Sequence, residues 1–167
     1  MIVILEGVDG SGKTTLCKQL MEKGYKQICI AGGGEGEFYA WRKAKKHFVE
    51  SVAISDRSFI TDIAYRLYDC KPRRCMCLES MLETLKHDVK IVFLESGTEY
   101  EDSIQRGENN ITTKYANTKI KQNYRIIADI LEIFSSVPIM RYDWKKQDVT
   151  DVINFINEGK EENNGVR

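Results

Sequence analysis

Apolar residues recur along this chain in two alternating rhythms. Short continuous runs at residues 2–5, 27–30, 52–54, 89–94 and 138–142 read as strands. Stretches with helical spacing separate most of them. Cys17, Leu20 and Met21 share a face in a helix expected over residues 14–23, with Gly24 placed to end it. Phe59, Ile63 and Leu67 fall four apart, as do Ile60, Ala64 and Tyr68. Ile120, Tyr124, Ile127, Leu131 and Phe134 form a seam expected to be buried, and Val149, Val152, Ile153 and Ile156 make a last amphipathic helix. Strands alternating with helices imply parallel strands joined by crossover helices. Unbroken runs such as Ile91-Val92-Phe93-Leu94 fit strands covered on both faces. The expectation is an α/β domain over residues 1–158, with a five-stranded parallel sheet and helices on both faces. The polar tail, 159–167, lacks a periodic apolar face and is expected to fray.

The first strand runs straight into Gly7-Val8-Asp9-Gly10-Ser11-Gly12-Lys13-Thr14, and a helical stretch follows at once. This is the Walker A spacing in the strand–loop–helix context that the motif requires. Glycines let backbone N–H groups turn around phosphates at the positive end of the helix. Lys13 can reach the β- and γ-phosphates, and the Thr14 hydroxyl can hold Mg²⁺. Gly7, Asp9, Gly10, Ser11, Gly12, Lys13, Thr14 and Thr15 are therefore the expected nucleotide-binding residues, with ATP and Mg²⁺ as the implied ligands.

Composition changes this picture only by exclusion. The chain has 167 residues, 25 basic and 25 acidic, so its formal net charge is zero. Zero net charge counts against a sequence-independent grip on nucleic acid. No apolar run reaches membrane-spanning length, and the N-terminal run is too short for a signal peptide, so no membrane partner and a cytoplasmic location are expected. The five cysteines, Cys17, Cys29, Cys70, Cys75 and Cys77, are odd in number and lack framework spacing, which fits a reducing compartment. Cys75-Met76-Cys77 does not match the spacing of structural zinc sites, and helix-face packing is the expected role of these thiols.

A second constellation follows the third strand at Ser55-Asp56-Arg57-Ser58. A carboxylate at the end of a buried strand is where a P-loop protein places its Mg²⁺-side acid, so Asp56 joins Thr14 as a metal candidate. The guanidinium of Arg57 suits an acceptor phosphate, which it can bind through two parallel hydrogen bonds. The bland alternative is a helix N-cap by Asp56 or Ser58 with Arg57 in solvent. Gly32-Gly33-Gly34-Glu35-Gly36 and the polar loop 107–113 resist assignment to helix or strand, and both are expected on the ligand-binding side of the sheet.

Taken together, Glu6-Gly7-Val8-Asp9-Gly10 with Gly12-Lys13-Thr14-Thr15, and Asp56-Arg57-Ser58 with Ala64-Tyr65, resemble the thymidylate kinase family of P-loop nucleoside monophosphate kinases over roughly residues 1–130. The resemblance implies a P-loop kinase fold with a lid loop. It also implies a reaction: transfer of the ATP γ-phosphoryl to a deoxynucleoside monophosphate, dTMP to dTDP, in nucleotide biosynthesis. In that reading Lys13, Arg57 and Arg106 are catalytic. Asp9, Asp56, Arg57 and Tyr65 face the acceptor, and Phe38 with Arg42 contacts its base. A small-molecule nucleotide is the implied partner, and a homodimer fits the family and the apolar residues on two sides of the 59–68 helix.

The chain departs from the family in three places. Ala31-Gly32-Gly33-Gly34-Glu35 replaces an Arg-Glu-Pro-Gly-Gly block, so an expected phosphate-binding arginine is missing. Ala64-Tyr65-Arg66 replaces Ala-Tyr-Gln. Gly10 and Ser11 leave the loop without the extra cation that some members carry there, which moves that charge to the lid; Arg106 is preferred over Lys114 because a guanidinium bridges phosphate oxygens better. Three other readings stay open: a P-loop kinase acting on another nucleotide, one acting on a nucleoside or a nucleic-acid hydroxyl, and a non-catalytic nucleotide-binding module.

Overall fold

The computed structural model describes residues 1–28, 52–69, 88–95 and 114–158. Along the chain these form β1 (Ile2–Glu6), α1 (Lys13–Glu22), β2 (Lys26–Ile28), β3 (Ala53–Asp56), α2 (Phe59–Asp69), β4 (Val89–Leu94), α3 (Lys114–Phe134), β5 (Ile139–Tyr142) and α4 (Val149–Asn157). The sheet order is β2-β3-β1-β4-β5, and every pairing is parallel. β1 is central, between β3 and β4, because every one of its five side chains is buried. Among the described residues no helix is long and apolar enough to cross a membrane.

The period-two alternation of the strands splits the core into two layers. Ile2 and Ile4 of β1 join Ile91 and Phe93 of β4 beneath α2 and α3. Val3 and Leu5 join Ile54, Val92 and Leu94 on the opposite face, beneath α1 and α4. Helices therefore cover both faces. α1 ends where its sequence says it should: Gly24 takes φ +92°, its N–H bonds Met21 O at 2.9 Å, and Tyr25 N–H bonds Leu20 O at 3.2 Å. That pattern is a Schellman close, which a glycine accepts without strain.

The structure corrects three expected burials. Phe134 is 81% exposed, although Ile120, Tyr124, Ile127 and Leu131 of the same seam are buried. It sits on the last residue of α3, past the neighbours that cover the earlier turns. Met21 and Leu67 are also exposed. On α2 the fully buried line is Ile60 and Ala64, which turn into the core and leave Leu67 on the outer side. Cys17 is buried and unpaired by disulfide, as expected of a packing residue; the other four cysteines lie outside the described residues.

Candidate active site

The loop after β1 is built by glycines whose conformations no other residue adopts at low cost. Gly10 and Gly12 take φ +76° and +93°. At Gly7 a Cβ would stand 2.9 Å from Leu94 O and 2.8 Å from Ser11 Oγ, so the loop can pass close to β4 only without a side chain there. Gly7→Ala is expected to destabilise the fold by about 2–4 kcal/mol, combining overpacking with backbone strain, and urea unfolding midpoints would measure it.

Lys13 closes the loop from inside. Its Nζ donates to Gly7 O and Val8 O, each at 2.7 Å, and to Ser11 Oγ at 3.3 Å. Burial, reinforced by the Arg57 charge, pushes the ammonium down to about 8. Gly12 occupies the N-cap position of α1, no side chain caps that end, and the first turn holds no acidic residue. A helix N-terminus left this way favours an anion.

Asp56 and Arg57 diverge at the end of β3. Thr14 Oγ1 donates to Asp56 Oδ2 at 3.4 Å, which brings the two metal candidates together across the loop. Asp56 Oδ1 is buried and has no hydrogen-bond partner among the described residues. An orphaned carboxylate oxygen beside a hydroxyl is a hard-oxygen donor set that fits Mg²⁺, which takes few protein ligands and relies on phosphates and waters for the rest. Ser58, not Asp56, caps α2: its hydroxyl accepts from Ile60 N–H at 3.2 Å.

Arg57 turns the other way. It has φ +82°, the single left-handed non-glycine among the described residues. Its N–H bonds Leu5 O at 3.0 Å, and its carbonyl accepts from Ser55 Oγ at 2.7 Å. The guanidinium pairs with Asp9 Oδ1, and Tyr65 OH donates to Asp9 Oδ2 at 2.8 Å. Burial alone would raise the Asp9 carboxyl; the Arg57 charge, the Tyr65 hydrogen bond and Lys13 outweigh it and hold it below the usual aspartate range. Burial and the Asp9 charge push the Tyr65 hydroxyl up to about 12, so it stays a donor at neutral pH. Arg66 is tied to Asp62 one turn back, Nε to Oδ1 at 2.8 Å.

One part of the site was not read from the sequence. A cavity of about 460 Å³ opens beside Gly10, Gly12 and Thr15 and extends to Trp144, Gln147 and Asp148 in the β5–α4 connection. Asp143 and Gln147 order that connection: Gln147 Oε1 accepts from Asp143 N–H at 2.8 Å, and Asp143 O accepts from the N–H groups of Lys146 and Gln147 at 2.9 Å each. Asp148 then caps α4 with a reciprocal capping box. The result places the Trp144 ring so that a Cβ on Gly12 would lie 3.6 Å from its Cδ1. A tryptophan in the loop after a strand on the ligand side of a parallel sheet was the available signal.

The sequence-expected residues divide accordingly. Asp9, Asp56, Arg57 and Tyr65 gather at the loop with Lys13 and Thr14. Phe38, Arg42 and Arg106, with the Gly32–36 and 107–113 segments, lie outside the described residues. Lys114 opens α3, and its side chain is likewise outside them. Arg125 is exposed and lines a small cleft with Lys121, Glu95 and Val8.

A five-stranded parallel sheet in this order, with helices on both faces and a Walker A loop after its central strand, is the α/β fold of P-loop kinases. No protein-family model matches the chain, and no curated protein matches its sequence. Solved structures match its shape. YorR from Bacillus subtilis, in complex with phosphorylated GDP, is similar at TM-score 0.67 and 18% identity, over 100% of this chain and 99% of that one. Deoxyadenosine kinase from M. mycoides with bound dATP is similar at 0.61 and 16% identity, over 95% and 100%. Thymidylate kinase from Ehrlichia chaffeensis is similar at 0.58 and 16% identity, over 94% and 98%.

Proposed function

We propose that this protein transfers the γ-phosphoryl group of ATP to a deoxynucleoside monophosphate, with dTMP as the first candidate. The observation that carries the reading is Arg57, held left-handed at the end of β3 with its guanidinium against Asp9 and beneath Tyr65. A cation fixed at that depth, across the loop from Lys13, suits a second anionic group beyond the triphosphate.

On this reading the loop N–H groups and Lys13 hold the β- and γ-phosphates. The nucleoside half of ATP enters the cavity against Trp144, whose ring offers a stacking surface. Trp144→Ala is expected to raise KM for ATP about tenfold with the acceptor KM unchanged, since base stacking contributes about 1–3 kcal/mol. Thr14 and Asp56 would hold Mg²⁺, which when bound would offset charge on the phosphates. Arg57 positions the acceptor phosphate, and Asp9 and Tyr65 orient the guanidinium and face the acceptor. The attacking atom is already a phosphate oxygen, so no general base is needed. The lid cation, Arg106 or Lys114, and the base contacts from Phe38 and Arg42 rest on the sequence resemblance. A homodimer is supported by exposed apolar residues on α2 and α3, Leu67, Ile126, Ile130 and Ile133.

A hydroxyl acceptor such as a nucleoside is the second reading. It is favoured by the Asp56 oxygen that has no partner among the described residues, which would then take the hydroxyl proton, and by the fold likeness to deoxyadenosine kinase. The Thr14 contact draws Asp56 to the metal side and favours the first reading. Chromatography of products from ATP and each deoxynucleoside monophosphate ranks the acceptors. Diphosphate formed fastest from dTMP is expected, and equal or faster turnover of another monophosphate would reassign the base.

A further inference from the structure

Glu6 is fully buried at the last position of β1, on the sheet face covered by α2 and α3, and the reaction as drawn does not use it. Its Oε1 accepts from Ser58 Oγ at 2.6 Å and its Oε2 from Thr61 Oγ1 at 2.7 Å. Each hydroxyl already accepts one hydrogen bond: Ser58 Oγ receives Ile60 N–H at 3.2 Å, and Thr61 Oγ1 receives Tyr124 O–H at 3.0 Å. The hydroxyl protons are directed at Glu6, and burial pushes its carboxyl up to about 7. Lys13 and Arg57 are the cations that face it, and Tyr124 is the phenol against it.

The consequence lies one residue before Ser58. Arg57 is held in a conformation that a side-chain-bearing residue disfavours. Its N–H is tied to Leu5 O in β1 and its carbonyl to Ser55. Ser58 is the next residue along the chain, and Glu6, the last residue of β1 before the phosphate loop, anchors it. We propose that Glu6 is a positioning residue: by fixing Ser58 at the N-terminus of α2, it holds Arg57 left-handed, with its guanidinium against Asp9. The nucleotide loop and the acceptor arginine are thereby set relative to one another by a single buried carboxylate between them.

Two readouts test this, and only the second rests on the kinase reading. The first is the Asp9 carboxyl titration by carbon-13 NMR in Ser58→Ala, Ser58→Thr and Glu6→Gln. Ser58→Ala changes no charge, so displacement of Arg57 is expected to move the Asp9 midpoint up toward the ordinary aspartate range, and Ser58→Thr to restore it. Burial pushes the Glu6 carboxyl up to about 7, so it is already neutral where Asp9 titrates; Glu6→Gln removes no charge there and is expected to leave the Asp9 midpoint close to wild type. The second readout is kinetic. Ser58→Ala should lose about tenfold or more in kcat/KM for the monophosphate while KM for ATP stays within twofold. An Asp9 midpoint unmoved in folded Ser58→Ala overturns the proposal, whatever Glu6→Gln does. A wild-type protein that turns over no monophosphate sinks the kinase reading instead, and the Asp9 titration still decides this one.

Discussion

Lys13→Ala is expected to lower kcat by about 10²–10³-fold or more, the scale for removing one preorganised charge-stabilising donor, without unfolding the protein. The stability half of this expectation follows from burial. Lys13 is 5% exposed, and its ammonium lies near 8 in place of the ordinary 10.5. A cation with a depressed folded pKa binds fewer protons in the folded state between those two values. Stability therefore rises with pH between about 8 and 10.5, and below 8 the charged side chain costs stability relative to the unfolded chain. Removing it should leave the neutral-pH melting temperature unlowered and abolish the alkaline rise. Turnover assays at saturating ATP, with melts at neutral and alkaline pH, check both halves. A fully active alanine variant would contradict the role of Lys13, and a collapsed one would make it structural.

The second large effect is at Arg57, and here two substitutions separate function from fold. Arg57→Ala and Arg57→Gly both remove the guanidinium, and each is expected to lose about 10²–10³-fold in kcat/KM for the acceptor, the scale for removing one preorganised charge-stabilising donor. They should differ in stability. At φ +82° alanine keeps the left-handed strain and glycine does not, so the glycine variant is expected to be more stable by about 1–2 kcal/mol. Both leave Asp9 with the Tyr65 hydrogen bond and the Lys13 charge, and its carboxyl should rise toward the ordinary range. Equal stabilities of the two variants would show that the backbone at Arg57 relaxes once the side chain is gone. Unchanged acceptor kinetics would remove Arg57 from the site.

Much of this architecture was legible because apolar runs and helical spacing report burial directly. β4 was bounded correctly since all six of its residues are buried, and five of them are apolar. β1 and β3 each run further than their apolar runs, to Glu6 and Asp56, for a reason a hydropathy pattern does not carry. Ser55 is buried because its hydroxyl is satisfied by Arg57 O, and Glu6 because two hydroxyls from α2 meet it. The pairing of Arg57 with Asp9 was foreseeable from the two motifs, but Tyr65 reaching Asp9 depends on the pitch of α2 against the sheet. Trp144 lines the cavity beside Gly12 through a loop whose shape is set by Asp143 and Gln147, residues that read as an ordinary polar turn. Phe134 shows the opposite failure, since spacing alone does not say where a helix outruns its neighbours.

The central claim is that a phosphate, held by Arg57, is the group that receives the phosphoryl. Incubating the wild-type protein with γ-labelled ATP and Mg²⁺, with dTMP in one reaction and thymidine in the other, tests it most directly. The account predicts labelled dTDP from the first and no labelled nucleotide from the second. Label on thymidine with none on dTMP, or label on neither acceptor, would contradict it.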